Sequence, residues 1–231
     1  MLLEHSLKKN DSDLLQIQSM LLQVSGLVEH RFHDVLKCFC AGDIRWAEKI
    51  LQAIGHVDSL EVRLSNACNQ LILRRHSEAE DLLIVLATIK VIDELDQVGD
   101  EVRKIACAAH DLSERWGVAV NHYEVVRVMA GCAESLLHDA LDAFVRLDVP
   151  QAVSVIVQHR TVCVEFRSVT HILTTFMAED PDLIPSALNT MWVAKAIERV
   201  GEHAIKVAEC VIHLMTGKDS ECIEAAGVRV N

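Results

Sequence analysis

His33-Asp34-Val35-Leu36-Lys37-Cys38-Phe39, followed by an acid at Asp43, returns as His138-Asp139-Ala140-Leu141-Asp142-Ala143-Phe144 and Asp148, at a constant offset of 105 residues. Further along, Leu95-Asp96-Gln97-Val98-Gly99-Asp100 returns as Ile197-Glu198-Arg199-Val200-Gly201-Glu202, now at an offset of 102. A small insertion or deletion between the copies explains the drift. Echoes in the same internal order mean one unit of roughly a hundred residues, duplicated and fused. Each copy ends on the same oddity: two carboxylates four apart, with a glycine just before the second. Function is therefore sought in a paired, pseudo-symmetric site.

Composition narrows the fold to helices. The chain has 231 residues, 51% of them hydrophobic but only 4% aromatic, with 9 glycines and 3 prolines. That apolar content is ample for a core, and so few turn residues argue against a sandwich or barrel. A net charge of −12 disfavours nucleic acid as a partner, because a phosphate backbone needs a clustered basic face. No stretch of ~20 residues lacks charge, which excludes a bilayer-spanning helix. Met1 to Gln18 lacks the basic and apolar blocks of a secretion signal, so a cytoplasmic chain is expected. The 8 cysteines include no C-x-x-C; they are read as buried thiols behaving as small hydrophobes.

Capping chemistry places the helix ends. Asp43 and Asp148 can accept early backbone N–H groups, and Ser77-Glu78-Ala79-Glu80 fits a capping box. Pro150, Pro181 and Pro185 suit first turns, and Gly217 suits a C-terminal stop. Helices are predicted near 12–41, 44–75, 78–111, 121–146, 149–178 and 183–216. Lengths of ~30 residues, about 45 Å, belong to bundles. Short connections force antiparallel neighbours. The expected architecture is all-α: two tandem pseudo-symmetric three-helix bundles, 1–112 and 113–217, joined across 112–120, with 218–231 a frayed tail.

On the helix holding Asp96, residues Val91, Ile92, Leu95, Val98, Val102 and Ile105 share one side at ~100° per residue. Asp93, Asp96 and Asp100 share the other. Carboxylates four apart on a helix repel by a few tenths of a kcal/mol. A cation held between Asp96 and Asp100 would reverse that cost, since hard cations take oxygen ligands. The second copy places Glu198 and Glu202 on one flank beside Lys195, Arg199 and Lys206. Two readings stand for both pairs, a solvated charged face and a metal site. Glycine inside a helix costs ~1 kcal/mol against alanine, so Gly99 and Gly201 in register ask for close approach of a helix or an ion.

These residues resemble the PhoU family of phosphate-specific transport regulators, over roughly residues 10–216. The resemblance is carried by DQVGDEVRKIA (96–106), ERVGEHAIKVAE (198–209), HDALDAF (138–144) and MAEDPDLIPSAL (177–188), in the right order and spacing. It implies a six-helix PhoU-like fold and a divalent or transition metal ion at Asp96, Asp100, Glu198 and Glu202. Three positions depart from the family pattern: Asp96 stands for a usual Glu, Glu202 for a usual Asp, and Glu61 is followed four residues on by Ser65. The resemblance further implies a cytoplasmic, non-enzymatic negative regulator of phosphate-starvation signalling and phosphate uptake. Its implied partners are the ATPase of the phosphate ABC transporter, a sensor histidine kinase, and a second copy in a homodimer.

The rival class is a metal-dependent enzyme or metal store using the same carboxylates. A ferritin-like di-metal core needs Glu-x-x-His on two helices, and no Glu here has His three residues later. No phosphate-binding G-x-x-x-x-G-K-[ST] loop or G-x-S-x-G elbow occurs. His33 and His138 invite a phosphoacceptor reading, yet no kinase-type pattern follows either. Trp46, Trp116 and Trp192 are expected in the core or a dimer seam.

Overall fold

The computed structural model describes the backbone of residues 2–41, 44–74, 79–116 and 123–217, with side chains within 13–40, 49–50, 59–73, 82–111 and 125–217. Among the described residues there are six α-helices and no strand. They are α1 (Leu2–Ala41), α2 (Ile44–Arg74), α3 (Ala79–Trp116), α4 (Tyr123–Arg146), α5 (Val149–Glu179) and α6 (Ile184–Thr216), with a 3₁₀ turn at Pro181–Leu183. All six expected helices are present. Two run further than the sequence signals suggested: α1 begins at Leu2 rather than near 12, and α3 continues to Trp116 rather than ending near 111. No proline precedes Pro150, and polar helix formers alone do not stop a helix.

Helix ends follow local chemistry where they are described. The Asp148 carboxylate accepts from the Gln151 backbone N–H at 3.0 Å, with Pro150 in the first turn. Ahead of it, Leu147 takes a left-handed φ of 55°. This lets Asp148 N–H reach Ala143 O at 2.9 Å and Leu147 N–H reach Phe144 O at 3.3 Å, the paired bonds of a Schellman stop. Gly217, at φ 65°, donates to His213 O and ends α6. The expected caps at Asp43 and Ser77, the connection from Gly117, and the tail from Lys218 lie outside the described residues.

Within each half every helix touches the other two, and the halves meet along α1–α4 and α3–α6. The repeated motif builds equivalent parts of the two cores. Val35, Leu36 and Phe39 are buried in one, and Ala140, Leu141 and Phe144 in the other. On α3 the stripe Val91, Ile92, Leu95, Val98, Val102 and Ile105 is buried throughout, as its period requires. Helix α6 packs against α3, α4 and α5. Its inward positions are accordingly small, with Ala187, Ala194, Ala196, Gly201, Ala204 and Ala208 buried. Small side chains let backbones approach closely on several sides at once.

Candidate functional site

The two acidic pairs lie on α3 and α6, and the structure treats them differently. Asp96 is exposed, and Asp100 is half-exposed with its carboxylate 2.8 Å from the Arg103 guanidinium. Glu202 is exposed, but Glu198 is buried, which corrects the expectation that both pairs stand on open faces. Glu198 accepts a hydrogen bond from Lys195 one turn earlier. The same ammonium lies 3.6 Å from Glu202 and 5.5 Å from the centre of the Phe166 ring on α5. Hydrogen bonding to Glu198 raises the Lys195 pKa above its ordinary value, against the opposing effect of burial.

Opposite this pair, α5 presents His159 and Cys163. Cys163 Sγ lies 3.6 Å from His159 Nδ1. Burial lowers the His159 pKa, with Glu202 and Glu198 pulling the other way. Burial and then the Glu198 charge push the Cys163 thiol up. His159 also accounts for Gly201: a Cβ there would sit 3.0 Å from His159 Cδ2 and 3.6 Å from Leu136 Cδ2. Nothing lies within 4 Å of the equivalent point on Gly99, so close approach explains one glycine of the repeat and not the other. No group of three or more His, Cys, Asp or Glu side chains among the described residues is arranged to hold a metal ion.

A second set of acids faces the seam between the halves. Glu101 is buried and accepts from Lys104 at 2.8 Å and from Arg199 of α6 at 3.4 Å. Glu94 lies 2.7 Å from His203 Nδ1 and 3.3 Å from Lys206 Nζ. Arg199 and Lys206 thus cross to α3, whereas the sequence placed them beside the α6 acids. The pairing Glu94 with His203 and Glu101 with Arg199 makes α3 and α6 antiparallel. Burial alone would raise the Glu94 pKa, but the hydrogen bond from His203 and the charge of Lys206 outweigh it, and the net shift is downward. A depressed folded-state pKa stabilises above the ordinary value of 4.5 and loses that contribution as pH falls through the folded value. Stability measured by urea unfolding should therefore fall more steeply below pH 4.5 in the parent than in Glu94→Gln. Parallel curves would contradict the assignment.

The second seam, α1 against α4, carries a pair of pairs that the sequence reading missed. His33 Nδ1 lies 2.8 Å from Glu134, and His138 Nδ1 lies 3.0 Å from Glu29. Glu29 and Glu134 are themselves 105 residues apart, so the two contacts are copies exchanged across a local twofold. The signal was available: extending the repeat four residues back from each His finds a Glu in both copies. These side chains, with His30 and Ser135, line an open groove of about 480 Å³. The carboxylates take each imidazole at Nδ1, the tautomer-fixing position.

Some large apolar side chains remain outside the core. Ile184, Leu188 and Trp192 stand exposed at four-residue spacing on α6, with Trp192 at 72%. Of the two expected settings for Trp192, that exposure removes the core and leaves the dimer seam; Trp46 and Trp116 have no described side chains. Leu82 and Leu86 on α3, the repeat equivalents of Ile184 and Leu188, are exposed too. The thiols are also mixed: Cys38 and Cys68 are buried as expected, whereas Cys107 is exposed and Cys40, Cys132, Cys163 and Cys210 lie between.

Comparison with known proteins places this geometry. A family model described as the PhoU domain matches twice, at residues 21–109 and 126–211. The phosphate-specific transport system accessory protein PhoU homolog of Pseudomonas aeruginosa is 32% identical over 218 residues, covering 94% of this chain and 90% of that one. The PhoU accessory protein of Escherichia coli K12 is 28% identical over 212 residues, covering 90% and 86%. The crystal structure of PhoU from Pseudomonas aeruginosa superposes with a TM-score of 0.85 at 31% identity, over 90% of this chain and 99% of that one. The phosphate transport system regulatory protein PhoU from Streptococcus pneumoniae gives 0.82 at 20% identity, over 90% and 98%, a likeness of fold alone.

Proposed function

This chain belongs to the PhoU family, and from that membership we propose that it is an accessory protein of phosphate transport, a negative regulator of phosphate uptake and phosphate-starvation signalling. It acts by contact, on the cytoplasmic side, with the ATPase of a phosphate ABC transporter and with a sensor histidine kinase. The observation that carries this reading is the family match in both repeats, joined to about 30% identity over most of the length of proteins named as accessory to phosphate-specific transport. No helix among the described residues is long and apolar enough to cross a membrane.

The surface supports contact over catalysis. Exposed apolar side chains at equivalent positions of α3 and α6 offer two similar patches, and such patches mark protein contacts more often than solvent faces. In the homodimer we propose, a second copy covers part of this surface, and light scattering at high micromolar concentration should give twice the chain mass rather than a monomer. A divalent or transition metal ion enters the proposal as an adjunct at the acidic pairs, at Asp96 and Asp100 before Glu198 and Glu202. Elemental analysis should find metal reduced more by Asp96→Asn with Asp100→Asn than by Glu198→Gln with Glu202→Gln. Equal losses would remove that preference.

The direct test of the contact mechanism uses the purified chain and the transporter ATPase. Calorimetry should detect binding, and a variant with Leu86→Asp and Leu188→Asp, both on exposed positions that should leave the fold intact, should weaken it by about tenfold or more, equivalent to ~1.4 kcal/mol. Binding that ignores both substitutions would move the contact elsewhere. No binding of the parent would overturn the ATPase as partner.

A further inference from the structure

We propose that the outward face of α5 is the seam of the homodimer, where it packs on the α5 of a second copy running parallel to it. The inference rests on the self-association proposed above and gives it a place. It leaves the α3 and α6 patches, Trp192 included, open to the transporter contact. Helix α5 turns Val155, Val162, Val169 and Leu173 into the core. On its opposite side Val157, Val164 and His171 recur every seven residues, with Thr161, Ser168 and Thr175 recurring between them, and all six are exposed. Alternating steps of four and three keep one face of a helix against one partner helix. The stripe runs for about 27 Å at ~1.5 Å per residue.

The fold alone does not require such a face, because the other repeat lacks it. Helices α2 (Ile44–Arg74) and α5 (Val149–Glu179) correspond at an offset of 105 residues. They bury the same positions, Leu64 and Cys68 in one and Val169 and Leu173 in the other. Where α5 exposes Val164, Ser168, His171 and Thr175, α2 exposes Ser59, Arg63, Asn66 and Gln70. The hydroxyls of Ser168 and Thr175 donate to Val164 O and His171 O of their own helix, so covering them strands no donor. Charge names the occupant and its direction. With a net charge of −12, two copies repel on approach unless the meeting faces carry matched charges. Arg160 and Arg167 line one edge of the stripe, and Glu165 and Glu179 line the other. In a parallel pair each edge meets the opposite edge of the partner five residues further on, so Arg160 meets Glu165 of the second copy, and the reverse. An antiparallel pair would set arginine on arginine.

The experiment measures the dimer dissociation constant of the full-length chain by sedimentation equilibrium, with thermal melting to confirm that each variant folds. Val164→Asp sets two carboxylates against each other across the seam and is expected to raise the constant about tenfold or more. Arg160→Glu sets like charges on both edges and is expected to raise it about fivefold. Adding Glu165→Arg to Arg160→Glu restores opposite charges, and the constant should return to within about twofold of the parent. A folded Val164→Asp that dimerises as the parent does would overturn the seam while leaving the homodimer in place. A double variant no better than Arg160→Glu alone would overturn the parallel pairing. A parent that stays monomeric at high micromolar concentration would overturn the homodimer and the seam together.

Discussion

Phe39→Ala and Phe144→Ala are each expected to destabilise the fold by about 3–5 kcal/mol, the range for truncating a buried aromatic ring. These rings are the anchors of the repeated motif, 105 residues apart, and both are buried, Phe39 at 0% and Phe144 at 5% exposure. Each stands three residues after a buried leucine of the same motif, so removal opens a cavity in its own half. Two-state urea unfolding of the single variants would read the loss. A cost below about 1 kcal/mol for either, within the range of ordinary surface substitutions, would mean the echo does not build equivalent cores.

Gly201→Leu is expected to cost about 3 kcal/mol, because overpacking a close helix contact forces side chains and backbone apart. The first added carbon already falls 3.0 Å from His159 Cδ2 and 3.6 Å from Leu136 Cδ2, on two different helices. Gly99→Ala should do the opposite and gain up to about 1 kcal/mol, since an open helical position gains only the better helix propensity. Two glycines at equivalent positions of the repeat thus have opposite expected signs. Thermal melting of both variants decides it: equal effects would contradict the close approach of His159.

The architecture was legible because it rests on one-dimensional signals. The echo at His33 and His138 gave two units, the 3.6-residue period gave the buried side of α3, and Asp148 and Gly217 marked ends by capping chemistry. Periodicity describes the faces of a single helix, however, and not which neighbour covers each face. Glu198 therefore read as surface, although α6 packs against three helices and buries it. Arg199 and Lys206 read as local counter-charges for α6, although long side chains reach across a seam and pair with Glu101 and Glu94.

The candidate site was half legible for the same reason. Its carboxylates announced themselves by spacing and repetition. Its other members did not: Lys195 was one of three nearby cations, and His159 and Cys163 lie on a different helix with no repeated partner. Only folding selects Lys195 from the three and brings the α5 pair to face it. The His33–Glu134 and His138–Glu29 contacts are the intermediate case, present in the repeat but invisible until α1 and α4 are set side by side. Among the described residues, His33–Glu134, His138–Glu29 and His203–Glu94 each join the two halves.

Expression of a phosphate-starvation promoter in cells lacking this chain is the most direct measure of the regulatory role we propose. With ample phosphate, the deletion strain is expected to express the reporter as though starved, and restoring the chain is expected to silence it. A reporter that stays silent in the deletion strain under ample phosphate, with the promoter shown to respond to starvation in the parent, would contradict the role of negative regulator.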